Sequence, residues 1–250
     1  MNPCPAFRDR SALAACGVLI LMVALLGSCV GVGPTRLQGG ATVTRSEAIH
    51  RARAYHSMRW IAVDANRYHG LDEDGVRIDT PDDRFSGIES GRPGWWKAGE
   101  ISQGMPYKWG GFDTPESFGA GLERGLAAGD VYTAAKRRSL GDAVSSQAVG
   151  IDCSGLVSRC WGLPRHHSTR DLPSLCDELP SYQALLPGDI INARNRHVLL
   201  FEKFSDETKR HLITYEAGSP PSWKVLRTII SISELKLLGY RPYRYRRMSD

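Results

Sequence analysis

The chain has 250 residues, 42% of them hydrophobic, with 32 Lys or Arg against 27 Asp or Glu for a net charge of +5. That length accommodates a targeting segment and one domain of ordinary size, and the mixed composition excludes a disordered chain. Much of the basic excess lies at the C terminus, in Arg241, Arg244, Arg246 and Arg247; its alternation with aromatic residues reads as a strand, and with no nucleic-acid motif beside it nucleic acid is not an expected partner.

Residues 1–28 read as an export signal. Arg8 and Arg10 precede an apolar run from Ala12 to Leu26, which ends in Leu26-Gly27-Ser28-Cys29. A basic flank, a short apolar core and small residues at the end are the marks of a cleaved signal, and the run is short for a spanning helix. The ending resembles a bacterial lipobox, which implies lipidation of Cys29 and a domain tethered in the cell envelope. Val30 gives no inner-membrane retention signal, so the outer membrane is the expected address where the cell has one. Residues 29–43 are Gly-rich and form the expected tether.

Residues 44–100 read as a helical N-terminal extension. Thr44 or Ser46 can cap a helix, Glu47 suits its positive end, and a partly amphipathic pattern runs to about Tyr68. His50, His56 and His69 lack metal-site spacing. Asp72-Glu73-Asp74-Gly75 invites a calcium reading but lacks the spaced ligand set of a calcium loop, so a solvated turn is expected. Trp95 and Trp96 are expected to pack onto the domain.

The domain proper is expected over 101–250. Gly104-Met105-Pro106-Tyr107-Lys108-Trp109-Gly110-Gly111-Phe112 is an aromatic turn whose paired glycines allow close backbone approach. Residues 114–149 read as an excursion over the surface, flanking a cleft. Then Gly150-Ile151-Asp152-Cys153-Ser154-Gly155 opens a helix, with Leu156, Val157, Cys160 and Trp161 at helical spacing and Gly162 as its stop. A cysteine at a helix start faces unpaired N–H groups and the positive end of the dipole, which favour the thiolate. Past Cys29 only Cys153, Cys160 and Cys176 remain, an odd number without a C-x-x-C pair. A disulfide framework and a zinc site are both disfavoured. Cys160 falls on the apolar side of the helix as a packed thiol.

Five short strands follow, near Ile190, His197, His211, Trp223 and Tyr240, joined by turns. A helix followed by such strands implies an antiparallel sheet of about five strands and an α+β domain. His197 at a strand mouth can serve Cys153 as proton partner. Glu216, on the neighbouring strand, is the choice for orienting the imidazole, with His211 as the alternative.

Tyr107-Lys108-Trp109-Gly110-Gly111, Asp152-Cys153-Ser154-Gly155-Leu156-Val157, Leu163-Pro164-Arg165, Leu186-Pro187-Gly188-Asp189-Ile190 and His197-Val198 resemble, in order, the motifs of the NlpC family of bacterial cell-wall cysteine peptidases. The resemblance spans roughly 105–217. It implies a papain-like fold and cleavage of peptidoglycan stem peptides, commonly at the bond from γ-D-glutamate to the diamino acid, without cofactor or metal. It assigns Cys153 as nucleophile, His197 as base, Tyr107 to the oxyanion site, and Asp152 and Ser154 to a free amine of the stem peptide. The chain departs from the pattern in its long 111–152 spacing and in Glu216, which stands where a histidine is usual. A non-catalytic envelope protein binding wall peptides, or an amidase or acyltransferase of the same fold, is the alternative expectation.

Overall fold

A computed structural model describes residues 42–87, 92–218 and 222–250. The expected signal segment, the lipid-accepting Cys29 and the tether as far as residue 41 lie outside these residues. The described chain opens with β1 (Val43–Thr44), which runs directly into α1 (Arg45–Ser57). The Thr44 hydroxyl accepts the Glu47 N–H at 3.1 Å and the Glu47 carboxylate accepts the Thr44 N–H at 2.9 Å, a reciprocal cap that fixes the helix start. Ala48, Ala52 and Tyr55 form its buried stripe.

The extension expected to be helical over 44–100 is α-helical only as far as Ser57, with one 3-10 turn at Asp64–Asn66 beyond it. Met58 turns extended, with φ −56° and ψ 140°. Short strands follow: β2 (Arg59–Ile61), β3 (His69–Leu71), β4 (Arg77–Asp79) and β5 (Ile101–Gln103). β2 pairs antiparallel with β5, and β3 with β4. Trp60 is buried between exposed Arg59 and Ile61, the period of a strand, and its partner strand lies far along the sequence. Trp60 meets Trp95, Trp96 and Phe118 edge-on at 5.7, 5.8 and 5.2 Å, so the tryptophan pair packs into the core. Asp72 begins the β3–β4 turn and is itself buried. One of its oxygens accepts the N–H groups of Asp74 and Val76 at 3.0 and 2.7 Å, and the other accepts the Ser145 hydroxyl.

Residues 114–149 do not merely cross the surface. They hold α2 (Pro115–Glu123), β6 (Ala127–Ala128), α3 (Ala134–Ser139) and β7 (Ala148–Val149), and they bury Phe118, Ala128 and Val131 completely. α4 (Cys153–Cys160) comes next. After it the chain builds β8 (Cys176–Glu178), β9 (Ile190–Ala193), β10 (His197–Phe204), β11 (His211–Ala217) and β12 (Val225–Ser231), then α5 (Ile232–Leu237), β13 (Arg241–Tyr245) and β14 (Met248–Ser249).

The main sheet has six strands in the order β12-β11-β10-β9-β13-β8, all neighbours antiparallel. The α+β class follows, with one strand beyond the expected five. The addition is β8, whose polar Cys176-Asp177-Glu178 shows no strand pattern alone and is recruited by pairing with β13 at the sheet edge. Side chains alternate across β10: Val198 and Leu200 face α1 and α4, whereas Leu199 and Phe201 face α5. With both faces covered, the strand reads as a continuous apolar run. On β13, Arg244 holds the fully buried Asp189 through two nitrogens, at 3.1 and 2.7 Å. Arg241 and Arg246 pair with Glu178 and Asp177. These C-terminal cations stitch the sheet edge together.

Candidate active site

Cys153 owes its position to the glycine-rich turn that precedes it in space. The Ile151 N–H bonds the Pro106 carbonyl at 3.1 Å, the Lys108 N–H bonds the Ile151 carbonyl at 3.2 Å, and the Asp152 N–H bonds the Gly111 carbonyl at 3.2 Å. Gly155 lies so close to the Gly111 carbonyl oxygen that a Cβ would collide with it. Asp152 caps α4, its carboxylate accepting the Gly155 N–H at 2.6 Å. Cys153 is therefore the first helical residue, where a backbone N–H has no partner within the helix and the dipole is positive.

His197 opens β10 beside it. The imidazole Nε2 lies 2.9 Å from Glu216 Oε2, and a further hydrogen bond joins the ring to the Cys153 side chain. Since Nε2 is engaged by Glu216, Nδ1 is the nitrogen left for sulfur. Burial pulls the imidazole down, but the charge of Cys153 and the hydrogen bond to it, then Glu216, outweigh burial and raise it to about 10. Glu216 is buried, and its second oxygen accepts the Thr228 hydroxyl at 2.6 Å. His211, the alternative partner, is exposed at the other end of β11.

Tyr107 is buried against Trp223, ring centroids 5.3 Å apart, and over Gly218, where a Cβ would enter the phenol ring. Burial, followed by the charges of Asp152 and Cys153, pushes its hydroxyl well above its ordinary value, so the group stays a proton donor.

Asp152 and Ser154 have a partner that the sequence reading missed. His166 Nε2 lies 3.0 Å from both Asp152 carboxylate oxygens and 3.2 Å from the Ser154 hydroxyl, which itself donates to Asp152 at 2.9 Å. Burial works against both charges, yet Asp152 raises His166 and His166 lowers Asp152, so the two stand as an ion pair. The signal available was indirect: an aspartate at a buried helix start needs a counter-charge, and His166 lies in an irregular stretch whose path the sequence does not fix.

Tyr107, Asp152, Cys153, Ser154, His166 and His197 line a cleft of about 750 Å³, with Glu216 behind the imidazole, and its walls include Tyr132, Arg137, Leu140 and Val144 from the 114–149 segment. The Trp109 indole N–H bonds the Leu140 carbonyl at 3.0 Å and pins that wall to the aromatic turn. Cys160 is fully buried and Cys176 nearly so; burial raises both thiols, and neither lines the cleft. Both are free thiols, as is Cys153. No family model, curated protein or solved structure matches the chain. The chemistry thus rests on the geometry: a thiol at an open helix start, an imidazole bonded to it, a carboxylate behind the imidazole and two donors nearby, the Cys153 N–H and the Tyr107 hydroxyl. Such a set has the chemical parts that nucleophilic acyl transfer requires. Among the described residues no group of three or more His, Cys, Asp or Glu is placed to hold a metal ion.

Proposed function

We propose that this chain is a papain-like cysteine peptidase of the cell envelope, anchored by a lipid on Cys29, that hydrolyses peptidoglycan stem peptides at the bond from γ-D-glutamate to the diamino acid. The observation that carries the reading is Cys153 and His197 side by side in the wall of a cleft large enough for a short peptide, with the buried Glu216 bonded to the far side of the imidazole. The ordered motifs and the export signal support wall peptides over other amides.

In the proposed reaction the Cys153 sulfur attacks the amide carbonyl, forming the S–C bond. The Cys153 N–H and the Tyr107 hydroxyl stabilise the oxyanion. His197 gives its Nδ1 proton to the departing amine as the C–N bond breaks, leaving a thioester. A water then passes a proton to His197, attacks the thioester and releases the acid, and the sulfur leaves as thiolate. Glu216 holds the ring through both steps and balances its positive charge. The test is digestion of purified muropeptides by the mature protein, read by mass spectrometry. New amine termini that vanish in Cys153→Ala are expected; no new termini, or undiminished cleavage in that variant, overturns the reading.

A further inference from the structure

The cleft carries a charge pattern that attack on an amide does not require. Arg137 enters it from α3, Arg170 from the irregular stretch after His166, and Arg196 from the turn before β10, next to His197. Arg92 lies over the Trp223 ring, 3.9 Å from its centroid, and lines the same space. A single rim arginine would be ordinary surface. Here cations from four separate segments line one cavity, the Arg170 guanidinium bonds Asn195, the residue before Arg196, and the Arg196 guanidinium lies 5.7 Å from the Tyr240 ring centroid.

Among the described lining residues the only carboxylate is Asp152, and it is spent. It accepts from Gly155, from Ser154 and from His166, and its side chain is 10% exposed. An ammonium group arriving there would have to displace an imidazolium already bonded to both oxygens. Asp152 therefore does not offset the arginines, and cationic side chains outnumber anionic ones in the cleft lining.

We propose that the cleft selects substrates with free carboxylates flanking the scissile amide, read by Arg137, Arg170 and Arg196, and that Asp152 and Ser154 do not serve as an ammonium site while His166 holds them. Guanidinium groups suit this task because their planar fork matches a carboxylate bidentately. The inference rests on the peptidase reading only for the identity of the bond. It names the form of the wall peptide taken: carboxylates free, not converted to carboxamides.

The experiment uses the Cys153→Ala protein, which binds without turnover, and a short peptide containing the γ-D-glutamyl-diamino acid bond, made with free carboxylates and again with carboxamides. Binding is followed by the fluorescence of the cleft tryptophans. The carboxylate form is expected to bind about tenfold tighter or better at low salt, as for a charge-assisted hydrogen bond. The advantage should shrink at high salt and in Arg137→Gln or Arg196→Gln. His166→Gln should free Asp152 and raise affinity for a peptide bearing a free N-terminal ammonium over its acetylated form. Equal binding of the two forms, tighter binding of the carboxamide, or binding of neither overturns the proposal. Carboxylate-selective binding with no cleavage by the unmodified protein would instead sink the peptidase reading and leave this one standing.

Discussion

His197 and Glu216 face each other from adjacent strands, Nε2 to Oε2 at 2.9 Å, with the Thr228 hydroxyl on the other carboxylate oxygen at 2.6 Å. The pair orients the imidazole toward Cys153 and favours its charged form. Glu216→Ala is expected to lower kcat on the order of a hundredfold with a smaller change in KM. Because Glu216 raises His197, the alkaline limb of the pH–rate profile should move to lower pH in this variant. Steady-state kinetics across pH checks both effects, and an unmoved limb would separate Glu216 from the imidazole.

The same shift has a consequence for stability. His197 is raised from about 6.5 to about 10, so the stabilisation is whole below the unfolded value and is lost as pH rises through the folded one. Denaturant midpoints should fall between pH 6.5 and pH 10 in the native protein. The decline should be shallower in Cys153→Ser, since the Cys153 charge is the foremost of the influences that raise the ring. Parallel curves for the two proteins would contradict the coupling.

Reactivity should separate the three cysteines. All three are buried, but Cys153 keeps 8% exposure and lines the cleft, whereas Cys160 and Cys176 do not line it and burial holds them in the protonated form. Iodoacetamide on the folded protein at mildly acidic pH is expected to modify Cys153 alone, as read by peptide mass spectrometry. Labelling of Cys160 at a comparable rate would contradict the burial described for α4.

The cleft wall has its own anchor. Lys136 on α3 pairs with Asp130, and both side chains are buried. Lys136→Met should leave the buried Asp130 carboxylate without its ion-pair partner and destabilise the fold by about 3 kcal/mol, whereas replacing both partners with apolar residues should recover much of that loss. Denaturant unfolding of the two variants gives the comparison.

The sequence disclosed this site unevenly. Cys153, His197 and Glu216 sit at the starts or ends of regular elements, where periodicity and turn residues mark position, and all three converge. The helical pattern runs past Ser57 because Trp60 and Ile61 suit a helical stripe as well as a strand; the strand wins through pairing with β5, a partner no local pattern reveals. β8 escaped for the same reason, its pairing with β13 being non-local. The role of 114–149 was half visible: helix signals were present, but nothing local said that Phe118 would reach the tryptophan cluster. His166 carries no local mark because its meaning lies wholly in Asp152, distant in pattern though near in sequence.

Because Glu216 occupies one ring nitrogen, His197 has a single port for protons. In the proposed reaction the departing amine and the incoming water must use that port in turn, at one place. The amine must leave before water can act, and an amine that lingers there recaptures the acyl group. Added amines should therefore divert the thioester to new amides, so a hydrolase built this way is also a latent ligase, and the ratio of the two outcomes measures how long the cleft holds its first product.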